Sequence, residues 1–323
     1  MQAIIEKVTA LLENGTVDRV LAWKAGDFSY DRTPAVFDKE SGQVGLVYDS
    51  FCANNLSKYL IEESKKDGKV LVLMKPCDSY GLNMLIKEHR VNRDNIYILG
   101  VPCKCKVSVE KVKAAGLTGI LDIVEEGSDI KVTTVYGDTT LNRNDVLCDK
   151  CLACKDKVVT VYDEKIESDE TAGVEKIDRM AAVAELEAMS PEERFNFWRS
   201  QLSKCIRCNA CRNVCPICSC TKCVFDNDDT GISGKANVDS FEENMFHIVR
   251  AYHVAGRCTD CGECSRVCPQ NIPLHLLNRK FIKDMNDLYG AHQAGQSTEG
   301  RHPLINFTFD DAEPSVVHER GNH

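Results

Sequence analysis

Eight cysteines stand in two runs of one pattern. Cys205, Cys208, Cys211 and Cys215 are spaced C-x2-C-x2-C-x3-C, with Pro216 immediately behind. Cys258, Cys261, Cys264 and Cys268 repeat that spacing 53 residues later, ahead of Pro269. Each run has the spacing that holds a 4Fe-4S cube, and two runs imply two cubes. Three thiolates separated by two residues let a short loop wrap three corners. The fourth, where a proline turns the chain away, is free to reach the other cube. The first cube is then expected to take Cys205, Cys208, Cys211 and Cys268. The second takes Cys258, Cys261, Cys264 and Cys215. Zinc sites combine separated C-x2-C pairs or add histidine, and do not use this tandem arrangement.

Ten further cysteines lie outside the runs. Cys148, Cys151 and Cys154 form a third C-x2-C-x2-C, three corners of another cube with zinc as the rival. Its fourth corner is expected at Cys103, or otherwise Cys77, because both follow strand-like stretches. Cys218, Cys220 and Cys223 come directly after the first run. They fit a fourth cube completed from elsewhere, a zinc site, or unligated thiols beside a cube.

The elements that must position these residues divide the chain. Ala3 to Leu12 has helical apolar spacing, closed by Asn14-Gly15. Val17 to Trp23 reads as a strand, and Asn54 to Ser64 as a helix. Lys69–Met74 and Asn95–Val101 are short continuous apolar runs, as in strands buried on both faces of a parallel sheet, with a helix through Leu82–Ile86 between them. Strand, helix, strand is a βαβ unit, so residues 1–166 are expected to form an α/β domain. Sites in such sheets gather at the carboxyl ends of the strands, where Cys77 and Cys103 stand.

Residues 167–203 read as a linker with lead-in helices. Glu164 to Glu175 is acidic and poor in apolar residues, and Lys176 to Met189 returns to helical spacing. Ser190-Pro191-Glu192-Glu193 then has the signature of a capped helix start. Residues 204–289 read as a mainly helical domain with two cubes, because the spacer 216–257 carries a helix from Asp239. Residues 290–323 read as a tail without its own core, and its histidines His292, His302, His318 and His323 have no ligand spacing.

Composition narrows the class. The formal charge of −9 argues against nucleic acid or an anionic membrane surface as partner. No apolar run approaches the roughly 18 residues of a membrane span. The opening residues lack a basic n-region, so they do not read as a signal peptide. Clustered cysteines without an export signal point to metal in a reducing, cytoplasmic setting.

Lys75-Pro76-Cys77-Asp78, Gly100-Val101-Pro102-Cys103 and Cys148-x2-Cys151-x2-Cys154 with Val161-Tyr162-Asp163 resemble the coenzyme F420-reducing hydrogenase/dehydrogenase beta-subunit family. That family includes beta subunits of some formate dehydrogenases. The C-terminal half is similar to the helical ferredoxins of heterodisulfide reductase C-type subunits. The resemblance implies an iron–sulfur electron-transfer subunit working with other subunits of an anaerobic oxidoreductase complex. It also implies, as an alternative, a flavin module exchanging hydride with F420 or a nicotinamide. The family's glycine-rich approach to the first helix is not matched, and no G-x-G-x-x-G occurs. FAD is therefore assigned to no residue.

Overall fold

The computed structural model describes residues 1–40, 44–154, 158–167, 174, 176–227, 240–306 and 308, with backbone alone for 240–243. The N-terminal region is an α/β layer. Helix α1 (Gln2–Glu13) turns Ile4, Val8, Leu11 and Leu12 into the core beneath strand β1 (Arg19–Ala25). Strand β2 (Arg32–Asp38) returns antiparallel to β1 as the sheet edge. An edge is where Pro34 is tolerated, since it has no N–H to give a ladder. A two-residue strand β3 (Leu46–Val47) also pairs with β1.

Asn54–Ser64 is less regular than its periodicity suggests. It forms a 3₁₀ turn at Ser57–Tyr59 and one helical turn, α2 (Leu60–Glu63). Strand β4 (Val70–Met74) is buried at every position, helix α3 (Pro76–Lys87) follows, and β5 (Ile96–Gly100) runs parallel to β4 from Val70↔Ile96 to Met74↔Gly100. β4 is also parallel to β1. Cys77 and Cys103 thus sit just beyond the carboxyl ends of adjacent central strands.

After helix α4 (Val109–Ala114), a second sheet interrupts the domain. Strands β6 (Ile120–Glu126), β7 (Asp129–Thr134) and β8 (Gly137–Asn142) form an antiparallel meander. Its Ile123, Ile130 and Val132 pack with Val112, Val146 and Leu147 into a separate core that includes Cys105, Cys148 and Cys151. A single-turn helix α5 (Asp149–Leu152) has Cys148 at its N-cap and carries Cys151. The acidic stretch read as linker begins instead as strand β9 (Glu164–Lys165), which adds parallel to β5.

The C-terminal half is helical. Helix α6 (Ala181–Ala188) precedes α7 (Pro191–Leu202), whose N-terminus has the expected capping box between Ser190 and Glu193. The short α8 (Ala210–Val214) and α10 (Glu263–Arg266) lie within the two cysteine runs, with α9 (Ser240–His253) between and α11 (Leu274–Tyr289) after. Leu202, Phe225, Phe246, Ile272 and Leu274 form the shared core, against which Trp198 packs. The chain beyond α11 folds back onto α3: Asn83 Nδ2 donates to Gly295 O at 2.9 Å, and Ala294 is buried. His318 and His323 fall outside the described residues. Among those described, no helix is long and apolar enough to cross a membrane.

Candidate metal centres

The two cysteine runs repeat in backbone as well as in spacing. Arg207 (φ 52°) and Asn209 (φ 59°) are left-handed, and so are Asp260 (φ 53°) and Gly262 (φ 70°), at the same places in the second run. Three of the four are not glycine. A non-glycine residue held there costs on the order of 1 kcal/mol and persists only where its surroundings over-determine it. Such a double reversal curls a loop so that three cysteines face one point. α8 and α10 then start at equivalent positions and carry the third cysteine of each run, Cys211 and Cys264.

Cys205, Cys208, Cys211 and Cys268 line one small cavity, with Phe246, Ile272 and Leu274 on its apolar wall. Three come from the first run and the fourth from the second. Burial pushes the Cys211 thiol up, and the neighbouring Cys268 and Cys208 thiolates push it further. In the complementary group, burial raises Cys258, Cys261 and Cys264, and each also feels the Cys215 thiolate. Cys215 itself is held low, at about 5, chiefly by a hydrogen bond from the Cys218 thiol. The same contact pushes Cys218 up.

Between the groups lies Arg250 of α9, 3% exposed, whose Nη2 donates to Cys211 O at 3.0 Å. Burial disfavours its charge, but the Cys264, Cys211, Cys215 and Cys218 thiolates outweigh burial and keep it charged. It is the counter-ion that two clusters of thiolates require, since an unpaired buried charge is strongly unfavourable. Spacing alone does not single it out, because it belongs to the helix between the runs. Of the arginines flanking the runs, Arg212 pairs with Asp226 (2.7 Å), Arg257 with Glu88 (2.5 Å) and Arg266 with Glu263 (2.8 Å).

In the third group the loop after β5 brings a further cysteine to the C-x2-C-x2-C run. Cys105, not Cys103, meets Cys151, which also contacts Cys148. The loop after β5 makes a bridge from Val107 to Leu147, and Cys148 N donates to Lys106 O at 2.9 Å. That pairing, with Cys105 left-handed at φ 72°, turns the Cys105 side chain inward, while Lys106 N donates to Cys151 Sγ at 3.3 Å. Cys103 bears electrostatically on both Cys105 and Cys77. Cys77 stands two residues after the fully buried Lys75, whose Nζ meets Asp78 Oδ2 at 2.8 Å, donates to Asn54 O at 2.6 Å and sits 4.0 Å above the Trp23 ring. Cys154 lies on the Tyr80 side.

A buried charge network joins this third group to the second run. Glu263, 1% exposed, accepts from Lys150 and Arg266, and from Asn55 N at 3.3 Å. Lys150 Nζ also donates to Ala53 O at 2.8 Å, and Arg266 Nη2 to Asn54 Oδ1 at 2.6 Å. The backbones approach so closely that a Cβ at Gly262 would stand 2.6 Å from Lys150 Cβ. Asp260 is clamped by Arg179 (3.0 Å) and Arg279 (2.8 Å). Cys218, Cys220 and Cys223 line a separate cavity with Lys58, Arg90 and Arg212.

Four thiols around one cavity are the donor set of an iron–sulfur cube, and the cluster would supply a one-electron store there. Among the described residues, no three His, Cys, Asp or Glu side chains converge on a point suited to a single ion.

Residues 201–272 match the 4Fe-4S dicluster domain family. The C-terminal helical region thus contains a 4Fe-4S dicluster domain. Two relatives extend the comparison to nearly the whole chain. The F420-dependent formate dehydrogenase subunit beta of Methanocaldococcus jannaschii is 25% identical over 338 residues, spanning 87% of this chain and 88% of the relative. The F420-dependent formate dehydrogenase 1 subunit beta of Methanococcus maripaludis is 28% identical over 359 residues, spanning 88% and 91%. The solved F420-reducing NiFe hydrogenase complex of Methanosarcina barkeri contains a chain that overlaps 62% of this one and 84% of its own length. The TM-score is 0.39 and the identity 16%, too loose to bear on the fold. The names of these relatives do not support the expected likeness to heterodisulfide reductase C-type subunits.

Proposed function

We propose that this chain is an electron-wire subunit of a multi-subunit anaerobic oxidoreductase of the cytoplasm. It would pass electrons between a partner's redox centre and another carrier. The observation that best supports this is the crosswise regrouping of the cysteines, with Cys268 beside Cys208 and Cys211, Cys215 beside Cys258, Cys261 and Cys264, and charged Arg250 between. Two cubes so arranged share a buried counter-charge and give an electron a short path with little reorganisation. Cys105, Cys148, Cys151 and Cys154 are proposed to hold a third cube, one charge network away from the second. The domains follow as 1–166, 167–203, 204–289 and 290–323, with Gly295 and Glu299 held on α3.

In this mechanism the chain's residues move no proton. The loops 205–211 and 258–264 fix the thiolates, Arg250 offsets their charge, and Phe246, Ile272 and Leu274 give the first cavity an apolar wall. Reduced cubes are stabilised by such positive charge and by N–H groups aimed at sulfur.

The test is anaerobic affinity purification with iron, zinc and flavin counted per chain and copurifying subunits identified. About twelve irons, at four per cube, with a redox-enzyme partner are expected. Iron beyond that would assign Cys218, Cys220 and Cys223 a cube. Iron near four, with zinc making up the difference, would sink the wire. Stoichiometric released flavin would favour a hydride-exchanging module instead.

A further inference from the structure

α9 lays His247 against the first cysteine cavity. The side chain is 1% exposed, and neither ring nitrogen has a hydrogen-bond partner in the protein. It lines the same cavity as Cys205, Cys208, Cys211 and Cys268. An imidazole carries at least one N–H in either protonation state. It therefore has one N–H to give.

The other polar side chains on the walls, Asn209 and Gln270, accept from neither ring nitrogen. The Phe246 ring stands edge-on at 4.9 Å between centroids, and Ile272 and Leu274 are aliphatic. Buried donors without acceptors are rare and unfavourable. The acceptor must then come from what fills the cavity. Cube sulfides and cysteine thiolates are such acceptors, and hydrogen bonds to sulfur are among the means by which a protein sets a cluster's potential.

We infer that His247 donates a ring N–H to a sulfur of the cube held by Cys205, Cys208, Cys211 and Cys268, and thereby raises that cube's reduction potential. This rests on the iron–sulfur reading of the cavity. Reduction adds one electron from the partner's redox centre and makes the sulfurs more negative. The N–H···S bond strengthens, and the proton stays on the ring throughout. His247 is a positioning and tuning residue and not a ligand.

The experiment uses the full chain, purified anaerobically with its clusters from cells fed nitrogen-15 histidine. Pulsed EPR of the reduced wild type should show a histidine nitrogen coupled to a cluster. His247→Leu should keep its iron and lose that coupling. For one cube, its reduced-to-oxidised ratio at fixed potential should fall at least tenfold, which is 59 mV for a one-electron couple. His247→Gln, which retains an N–H, should fall by less. The inference is overturned if the wild type shows no histidine coupling, or if His247→Leu leaves both potentials in place. Loss of iron in both variants would make the ring a ligand or a structural prop and overturn it equally. A wild type without iron would instead sink the reading of the cavity on which the inference stands.

Discussion

Glu263→Gln removes one charge and almost no volume from the network that joins the α/β layer to the second cysteine run. The native carboxylate is 1% exposed and lies 2.8 Å from Arg266 Nη2, with Lys150 on its other oxygen. At an effective dielectric of about 20, a 2.8 Å pair attracts with about 6 kcal/mol, before the cost of desolvation. Breaking such a buried set on one side leaves two cations facing each other, and the net loss is about 3–5 kcal/mol. In a protein of this size that lowers the thermal midpoint by roughly 6–20 °C. The assay is anaerobic thermal unfolding of the cluster-loaded chain at pH 7, followed by near-UV circular dichroism. Adding Lys150→Met to Glu263→Gln should recover part of the loss, because one orphan cation leaves with it. The pH dependence has a definite sign. Burial favours the neutral acid, but Lys150 and Arg266 outweigh it and hold the carboxyl well below its ordinary value. Its contribution is therefore complete above about pH 4.3 and lost as pH falls from there toward the depressed folded value. A midpoint within about 2 °C of wild type at pH 7, under the scale just used, would refute the claim that this glutamate neutralises buried cations.

Three other outcomes follow from the geometry. Cys215→Ala should damage the cube held by Cys258, Cys261 and Cys264, and loss of only the Cys205–Cys211 signal in EPR would show that each run is self-contained. Cys105→Ser should remove about four irons and open residues 148–154 to protease, because metal is part of what folds them; Cys103→Ser should keep them, and the reverse result would return the fourth corner to Cys103. Ser190→Ala deletes the cap of α7 and should cost about 1 kcal/mol in denaturant unfolding, with iron content unchanged.

The cysteine spacings made the cluster chemistry legible before any fold was known, because C-x2-C-x2-C dictates both ligand count and loop curvature. β4 was legible too, since five consecutive apolar residues have few other uses. β2 and the β6–β8 meander were not. β2 carries Pro34 and is only partly buried, so it lacks the contrast that marks a strand. In β7 the alternation of Asp129–Thr134 is present, with Ile130 and Val132 inward, and Gly127 at φ 65° marks the turn before it. That signal was available and went unread. Cys105 could not be preferred over Cys103 from sequence, because the choice depends on one left-handed residue and the Val107–Leu147 bridge. His247 and Arg250 were equally silent: on a helix with mixed polarity, only burial against the cysteines distinguishes them. The docking of the last segment was hidden for a related reason, since the contact made by Gly295 on Tyr80 is one of backbone shape, with a Cβ there falling 2.1 Å from the carbonyl oxygen.

The exchange of fourth ligands between the runs has a consequence for synthesis. Under that arrangement neither cube can be completed until the second run has left the ribosome. Cys205, Cys208 and Cys211 emerge 53 residues ahead of their counterparts. At about 5–20 residues per second, they wait roughly 3–10 s as bare thiols before Cys268 arrives. Iron delivered during that interval finds an incomplete site, so maturation belongs after Cys268 has emerged. The interval also sets a physical demand on the cell: a thiol-protecting, oxygen-poor environment is needed from the moment of translation, well before any electron is carried.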